Sequence, residues 1–187
     1  MSKLALQNTV MSIRNQMVPL DQAFLRLKER DTHLMEEMVR SLRVGQEGKA
    51  RILSNELSQI RKVVMEVMSA RLALEHIAMR ISTITDLGDI VATLTPAVGA
   101  IKGIQDVVTT VVPEADNSFS ELSTILNGIL VEASQTGGFK LDFKAANADA
   151  EKILDDASQI AEEEIRAKFP ELPVTLGAQL TREPQYT

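Results

Sequence analysis

The chain has 187 residues, with aromatics at 3%, no Trp and no Cys. The missing Cys excludes a disulfide framework, a thiol nucleophile and a cysteine-ligated metal, while the wealth of Leu, Ile, Val, Met and Ala points to an all-α protein assembled from aliphatic stripes. The formal net charge of −6 is unevenly spread: residues 1–83 hold 13 Lys+Arg against 9 Asp+Glu, and residues 84–187 hold 7 against 17. A basic front can attract an acidic back within one molecule, or an anionic surface outside it; solvated helix faces with no partner have the same composition.

The first residues show no basic region followed by an apolar core and a cleavage site, so no signal peptide and a cytoplasmic location are expected. Leu4, Leu6, Val10, Met11 and Ile13 fit either the start of a first helix or a short amphipathic foot on a membrane. A first long helix is expected from about Ser12 to Val44, bent at Pro19. Val10, Ile13, Met17, Leu20, Phe24, Leu27, Leu34 and Met38 recur at alternating steps of three and four, with Asp31 the only polar member of the row. Arg14, Arg26, Arg30, Arg40 and Arg43 fall broadly opposite this seam, diluted by Glu29, Glu36 and Glu37.

Gly45-Gln46-Glu47-Gly48 supplies a helix stop and a reversal. A second arm to about Ile84 repeats the pattern with Leu53, Leu57, Ile60, Val64, Val67, Leu74, Ala78 and Ile81, interrupted by Arg71. Arms of this length make a rod of roughly 50 Å with too much surface for its own core. Folding the chain between Gln46 and Glu47 places Asp31 opposite Arg61 and Lys62, and Arg71 opposite Asp21 and Gln22. These are expected as partly buried register pairs, or as side chains reaching solvent at the seam edge.

Thr85, Asp86, Gly88 and Asp89 mark a junction. A third helix follows at about 89–111, weakened by Pro96, Gly99 and Gly103 so that a hinge or two pieces are possible. Its most apolar span, Ile90 to Ile101, is short for a bilayer crossing. A fourth helix is expected at about 113–134, a linker at 136–146, and an acidic fifth helix at about 147–168. The helical core then covers 1–135 and a regulatory helix with a proline-containing tail covers 147–187. Phe169, Pro170, Leu172, Pro173 and Val174 alternate apolar anchors with prolines, suiting either an extended segment that docks in a partner's groove or a helix stop.

Chemistry-bearing patterns are nearly absent. His33 stands four residues from both Glu29 and Glu37, yet neither His33 nor His76 has the Glu three residues before it that a bundle di-iron site uses. There is no phosphate loop, no Gly-x-Ser-x-Gly, and no aromatic-basic interleaving for single-stranded nucleic acid. No cofactor, no metal, no nucleic acid and no enzymatic activity are expected.

Leu25-Arg26-Leu27-Lys28-Glu29-Arg30-Asp31, the Lys49-Ala50-Arg51 after the turn, Ile84-Thr85-Asp86-Leu87-Gly88-Asp89-Ile90-Val91 with Leu94-Thr95-Pro96, and Thr110-Val111-Val112-Pro113-Glu114-Ala115 together give a recognisable layout. Over about residues 10–135 it resembles ESCRT-III, and most of all the archaeal cell-division members of that family. The resemblance implies a subunit that polymerises with itself and related paralogues on the cytoplasmic face of the membrane at the division site and constricts it. The basic arm, with Lys3, Arg14, Arg26, Arg30, Arg40 and Arg43, would bind anionic lipid. The acidic helix would close against the hairpin, with a hinge at Thr85, Asp86, Gly88 and Asp89. An AAA ATPase would grip the tail through Phe169, Pro170, Leu172, Pro173 and Val174, although Leu176 stands where the family motif has a further proline. No segment for the winged-helix-like appendage of some members is expected. A non-polymeric coiled-coil adaptor and a ferritin-like enzyme are the competing classes.

Overall fold

The computed structural model describes residues 3–172. Among them every regular element is helical: α1 Lys3–Arg43, α2 Glu47–Ser82, α3 Leu87–Val111, a 3-10 turn at Pro113–Ala115, α4 Asp116–Gly137 and α5 Phe143–Lys168. α1 starts nine residues before the expected Ser12 and continues through Pro19. The early start follows from Val10 and Ile13, which join the core and carry the preceding turns with them. At 41 residues α1 is about 60 Å long, longer than the sequence estimate.

α1 and α2 pack antiparallel along the 3-4 seam. Val10, Ile13, Met17, Leu20, Leu34 and Met38 are buried on one side, and Leu53, Leu57, Ile60, Val64, Val67, Leu74, Ala78 and Ile81 on the other. Phe24 and Leu27 are half-buried. The reversal uses Gly45 at φ +75°, a conformation that only glycine adopts cheaply. There the Gln46 N–H donates to the Ser41 carbonyl and the Gly45 N–H to the Leu42 carbonyl, the paired bonds of a Schellman stop.

α3 runs unbroken across Pro96, as one helix and not two pieces. Its Ile90, Leu94, Ala97, Ile101, Ile104 and Val108 are buried, and α2, α4 and α5 surround it, so the loss of one helical hydrogen bond at the proline is tolerated. With 25 residues, α3 is long and apolar enough to cross a bilayer by length and composition alone. Its packed face is that of a core helix. α4 extends to Gly137 and α5 begins at Phe143, so the connection spans 138–142 and is shorter than the expected linker. Asp142 explains the early start of α5, its side chain accepting from the Lys144 and Ala145 N–H groups.

The seam's one buried charge is Asp31, 1% exposed. Arg61 donates to it twice, at 2.8 and 3.2 Å, across the hairpin. Arg71 donates to Asp21 and to Glu75, in a setting far more open to solvent. Lys62 is exposed and makes no ion pair with the described residues. Substituting Arg61→Met strands a carboxylate in an apolar seam and is expected to cost about 3–5 kcal/mol, whereas Asp31→Leu with Arg61→Met recovers most of that loss. Urea unfolding of the double-mutant cycle measures both; equal losses for the single and double variants would show that the charge, once unpaired, is not sealed from water.

Candidate functional site

α5 lies in the groove between α2 and α3. Its buried residues are Ala146, Ala150, Ile153, Ala157 and Ala161, a row of small side chains with one large member. The groove is matched to it by Gly99 and Gly103 of α3. A Cβ on Gly99 would come within 3.3 Å of the Ala150 methyl, and one on Gly103 within 3.1 Å of Leu154 Cδ1. Between α2, α3 and α5 an open cleft of about 330 Å³ remains, lined by Met65, Ala70, Ile104, Val107 and Leu154 among others. The seat is thus shallow and incompletely filled.

The end of the seat is more specific. Phe169, just past α5, is 6% exposed and joins a second apolar cluster with Leu34, Met38, Leu57, Ile60 and Val64 of the hairpin. Its ring meets Phe24 edge-on, 6.2 Å between centroids. The Arg61 guanidinium lies 5.7 Å above the same ring, and its Nη1 donates to the Pro170 carbonyl at 2.7 Å. One arginine therefore serves the buried carboxylate, an aromatic face and a backbone acceptor at once. Leu172 packs at the edge of this cluster; Pro173 and Val174 lie outside the described residues.

No ion pair joins α5 to the hairpin among the described residues. The α5 pairs, Arg166–Glu162 and Lys168–Glu164, run along the helix itself. No direct charge pair among the described residues therefore fixes α5 in its groove; the contacts made there are small-residue packing and Phe169.

Thr85, Asp86, Gly88 and Asp89 form the start of α3. Asp86 is the N-cap, its carboxylate accepting from the Asp89 N–H at 2.9 Å. Asp89 in return accepts from the Thr85 hydroxyl at 2.7 Å and the Thr85 N–H at 3.2 Å. These bonds, the hydroxyl foremost, hold the Asp89 carboxyl below its ordinary range. The Phe139 ring lies over Gly88, within 3.7 Å of where a Cβ would stand.

The basic residues of α1 separate into two groups. Lys3, Arg14 and Arg26 are exposed on its first half and make no ion pair with the described residues. Arg30 pairs with Glu56 across the hairpin. Arg40 and Arg43 line an open groove of about 480 Å³ with Thr32, Met35, Glu36, Val39 and Pro170. Glu37 is held below its usual range by a hydrogen bond and charge from Lys49 at the hairpin tip. Glu29, His33 and His76 are exposed, and the described residues contain no group of three or more His, Cys, Asp or Glu able to hold a metal.

A carboxylate whose folded pKa is lowered stabilises the fold above its unfolded pKa, and that contribution disappears as pH falls through the folded value. Protection of the Thr85 amide, which donates to the Asp89 carboxylate, is therefore expected to fall below about pH 4 in the native protein and to change less in Asp89→Asn. Asp86→Ala should cost about 1 kcal/mol of stability. Matching pH profiles for the native protein and Asp89→Asn in amide exchange by NMR would refute this role for Asp89.

No protein-family model and no solved structure matches the chain. Cell division protein B1 of Sulfolobus acidocaldarius is 34% identical over 161 residues, covering 86% of this chain and 75% of that protein. Cell division protein B of the same organism is 28% identical over 169 residues, covering 90% of this chain and 65% of that protein. With identity at this level over most of both chains in the first comparison, the chain belongs to the cell division protein B family.

Proposed function

We propose that the chain is an ESCRT-III-type subunit acting in cell division, without enzymatic activity. In this reading it polymerises with copies of itself and related paralogues on the anionic cytoplasmic face of the membrane at the division site. Its filaments constrict the membrane, and an AAA ATPase takes them apart through the tail that begins at Phe169. Two relatives named for cell division support the division role. The resemblance noted in the sequence supports the filament and membrane parts.

The observation that carries the reading is the seat of α5. A helix held by four alanines, Ile153, the half-buried Leu154 and Ile165 and one terminal aromatic buries less apolar surface for its length than either arm of the hairpin. An alanine methyl removes roughly one methylene's worth of area from water, about 0.8 kcal/mol, against about 1.5–3 kcal/mol for each large aliphatic in the α1–α2 seam. α5 can leave while the hairpin stays intact, and its departure uncovers apolar surface on α2 and α3. The hairpin supplies the stiff stave that assembles, and α5 supplies the restraint.

Truncation after Asp142 is expected to convert a soluble protein into polymers, visible by electron microscopy and enhanced by acidic liposomes. Gly99→Val, which wedges α5 away from α3 without deleting anything, should act in the same direction, as should Phe169→Ala. A truncated protein that remains monomeric at high concentration, with and without acidic liposomes, would remove the proposal and favour a non-polymeric coiled-coil adaptor.

A further inference from the structure

We propose that Phe139 is an interlock between two of the chain's connections. Its ring, carried by the α4–α5 connection, closes on the first turn of α3 and holds the α2–α3 bend until α5 is drawn off. This rests on the reading of α5 as a restraint and adds how its removal reaches the bend.

The ring is placed by two successive glycines. Gly137 ends α4, and Gly138 caps it at φ +66°, a left-handed turn that sends the chain back over the helix end. The Phe139 N–H donates to the Ser134 carbonyl at 3.0 Å, which fixes the backbone carrying the ring. The ring then lies against Gly137, where a Cβ would collide with its Cδ2 and Cε2 atoms. Its Cζ reaches across to Gly88. Two bare backbone positions, one on α4 and one on α3, therefore make the seat.

The bend gains an outside hold from this contact. Residues 83–86 join α2 to α3, and Thr85, Asp86 and Asp89 bond to one another there. Those bonds are local: they shape the first turn of α3 without tying it to α4. Beside them an open cleft of about 570 Å³, bordered by Leu6 of α1, Ile84 and Leu87 of the bend, and Ala133 and Thr136 of α4, leaves the region thinly packed. An aromatic ring is a large addition to so sparse a contact.

Chain length ties the ring to α5. Four backbone steps separate Phe139 from Phe143, the first residue of α5, and they span at most about 14 Å. The ring keeps its seat only while that end of α5 stays within this reach. α5 itself is about 39 Å long, so its Phe169 end can swing clear with Phe139 still seated. Release then has an order. The Phe169 end goes first, and withdrawal of the Phe143 end unseats Phe139 and frees the bend.

The test is amide exchange by NMR on the full chain. Phe139→Ala removes the ring. Gly137→Ala keeps the ring but fills its seat; alanine is the better helix former at this last position of α4, so any loosening comes from displacing Phe139. Both variants are expected to speed exchange of the Thr85, Asp89 and Ile90 amides about fivefold, the scale set by uncovering a half-buried aromatic ring. The Leu57 and Val64 amides in the hairpin seam should stay within about twofold. Gly99→Val meets α5 at Ala150, near its Phe143 end, and should speed the same three amides. Adding Phe139→Ala to it should bring no further change.

Native exchange at the bend in either Phe139→Ala or Gly137→Ala overturns the interlock. So does a change confined to the last turn of α4, which reduces the ring to a closure of that helix. Gly99→Val that forms polymers while the three amides keep their native rates overturns the interlock and leaves the reading of α5 standing. Failure of that reading is seen separately by electron microscopy, as a truncated chain that stays monomeric, and it removes the interlock's role with it.

Discussion

The arrangement depends on Arg61. A carboxylate as enclosed as Asp31 is tolerable in an apolar seam only with a cation fixed beside it, and the hairpin provides that cation from the facing helix. Sliding α2 by one turn would leave Asp31 unpaired, so the pair holds the two arms in register. The same guanidinium has donors to spare, and the chain uses them on the Pro170 carbonyl and the Phe169 ring. Hairpin register and the docking of the C-terminal segment are therefore tied to one side chain. Phe169 in turn helps shield the pair from water, which strengthens the interaction it rests on.

Away from Arg61 the α5 seat is generic. Alanines on α5 against glycines on α3 allow close approach, yet close approach between small residues removes little surface from water. The hairpin seam, by contrast, is filled with Leu, Ile, Val and Met. Stability is thus graded along the chain: a strongly packed rod, a core around α3 and α4, and a lightly held last helix. Gradations of this kind mark the elements that open first.

The sequence was informative where one periodicity was sustained. Two arms of 3-4 spacing, a glycine reversal and two charges at facing positions carry enough signal to place the hairpin partners, because a packed seam repeats its constraint at every turn. Helix ends were less legible. Ser12 looks like a start because the residues before it suit a separate amphipathic foot as well, but α1 includes them from Lys3 since Val10 and Ile13 find partners far away in the chain. The α5 contacts were hardest to foresee. An acidic helix and a basic hairpin suggest attraction, whereas the decisive features are alanines, which any helix contains, and Gly99 and Gly103, which read as weak points. Phe24 lies at the edge of a predicted seam, and nothing local marks it as the partner of Phe169. Leu4, Met11, Val18 and Leu25, exposed at every seventh position of α1, have the spacing to be noticed, but only burial of the opposite face shows that they are left over.

These placements separate two events that net charge alone would have merged. α5 packs on α2 and α3, while Leu4, Met11, Val18 and Leu25 of α1 lie exposed on the side away from the seam. A closed molecule therefore already presents Leu4, Met11, Val18 and Leu25, and release of α5 changes nothing about them. What release does change is the apolar surface on α2 and α3, with Ile104, Val107, Met65 and Ala70 beside the vacated groove. On the function proposed above, the surface that meets neighbouring subunits is conditional, and α5 would govern when it becomes available. A restraint built from small-residue packing suits that role, since packing of neutral groups is little affected by the ionic atmosphere at a charged membrane.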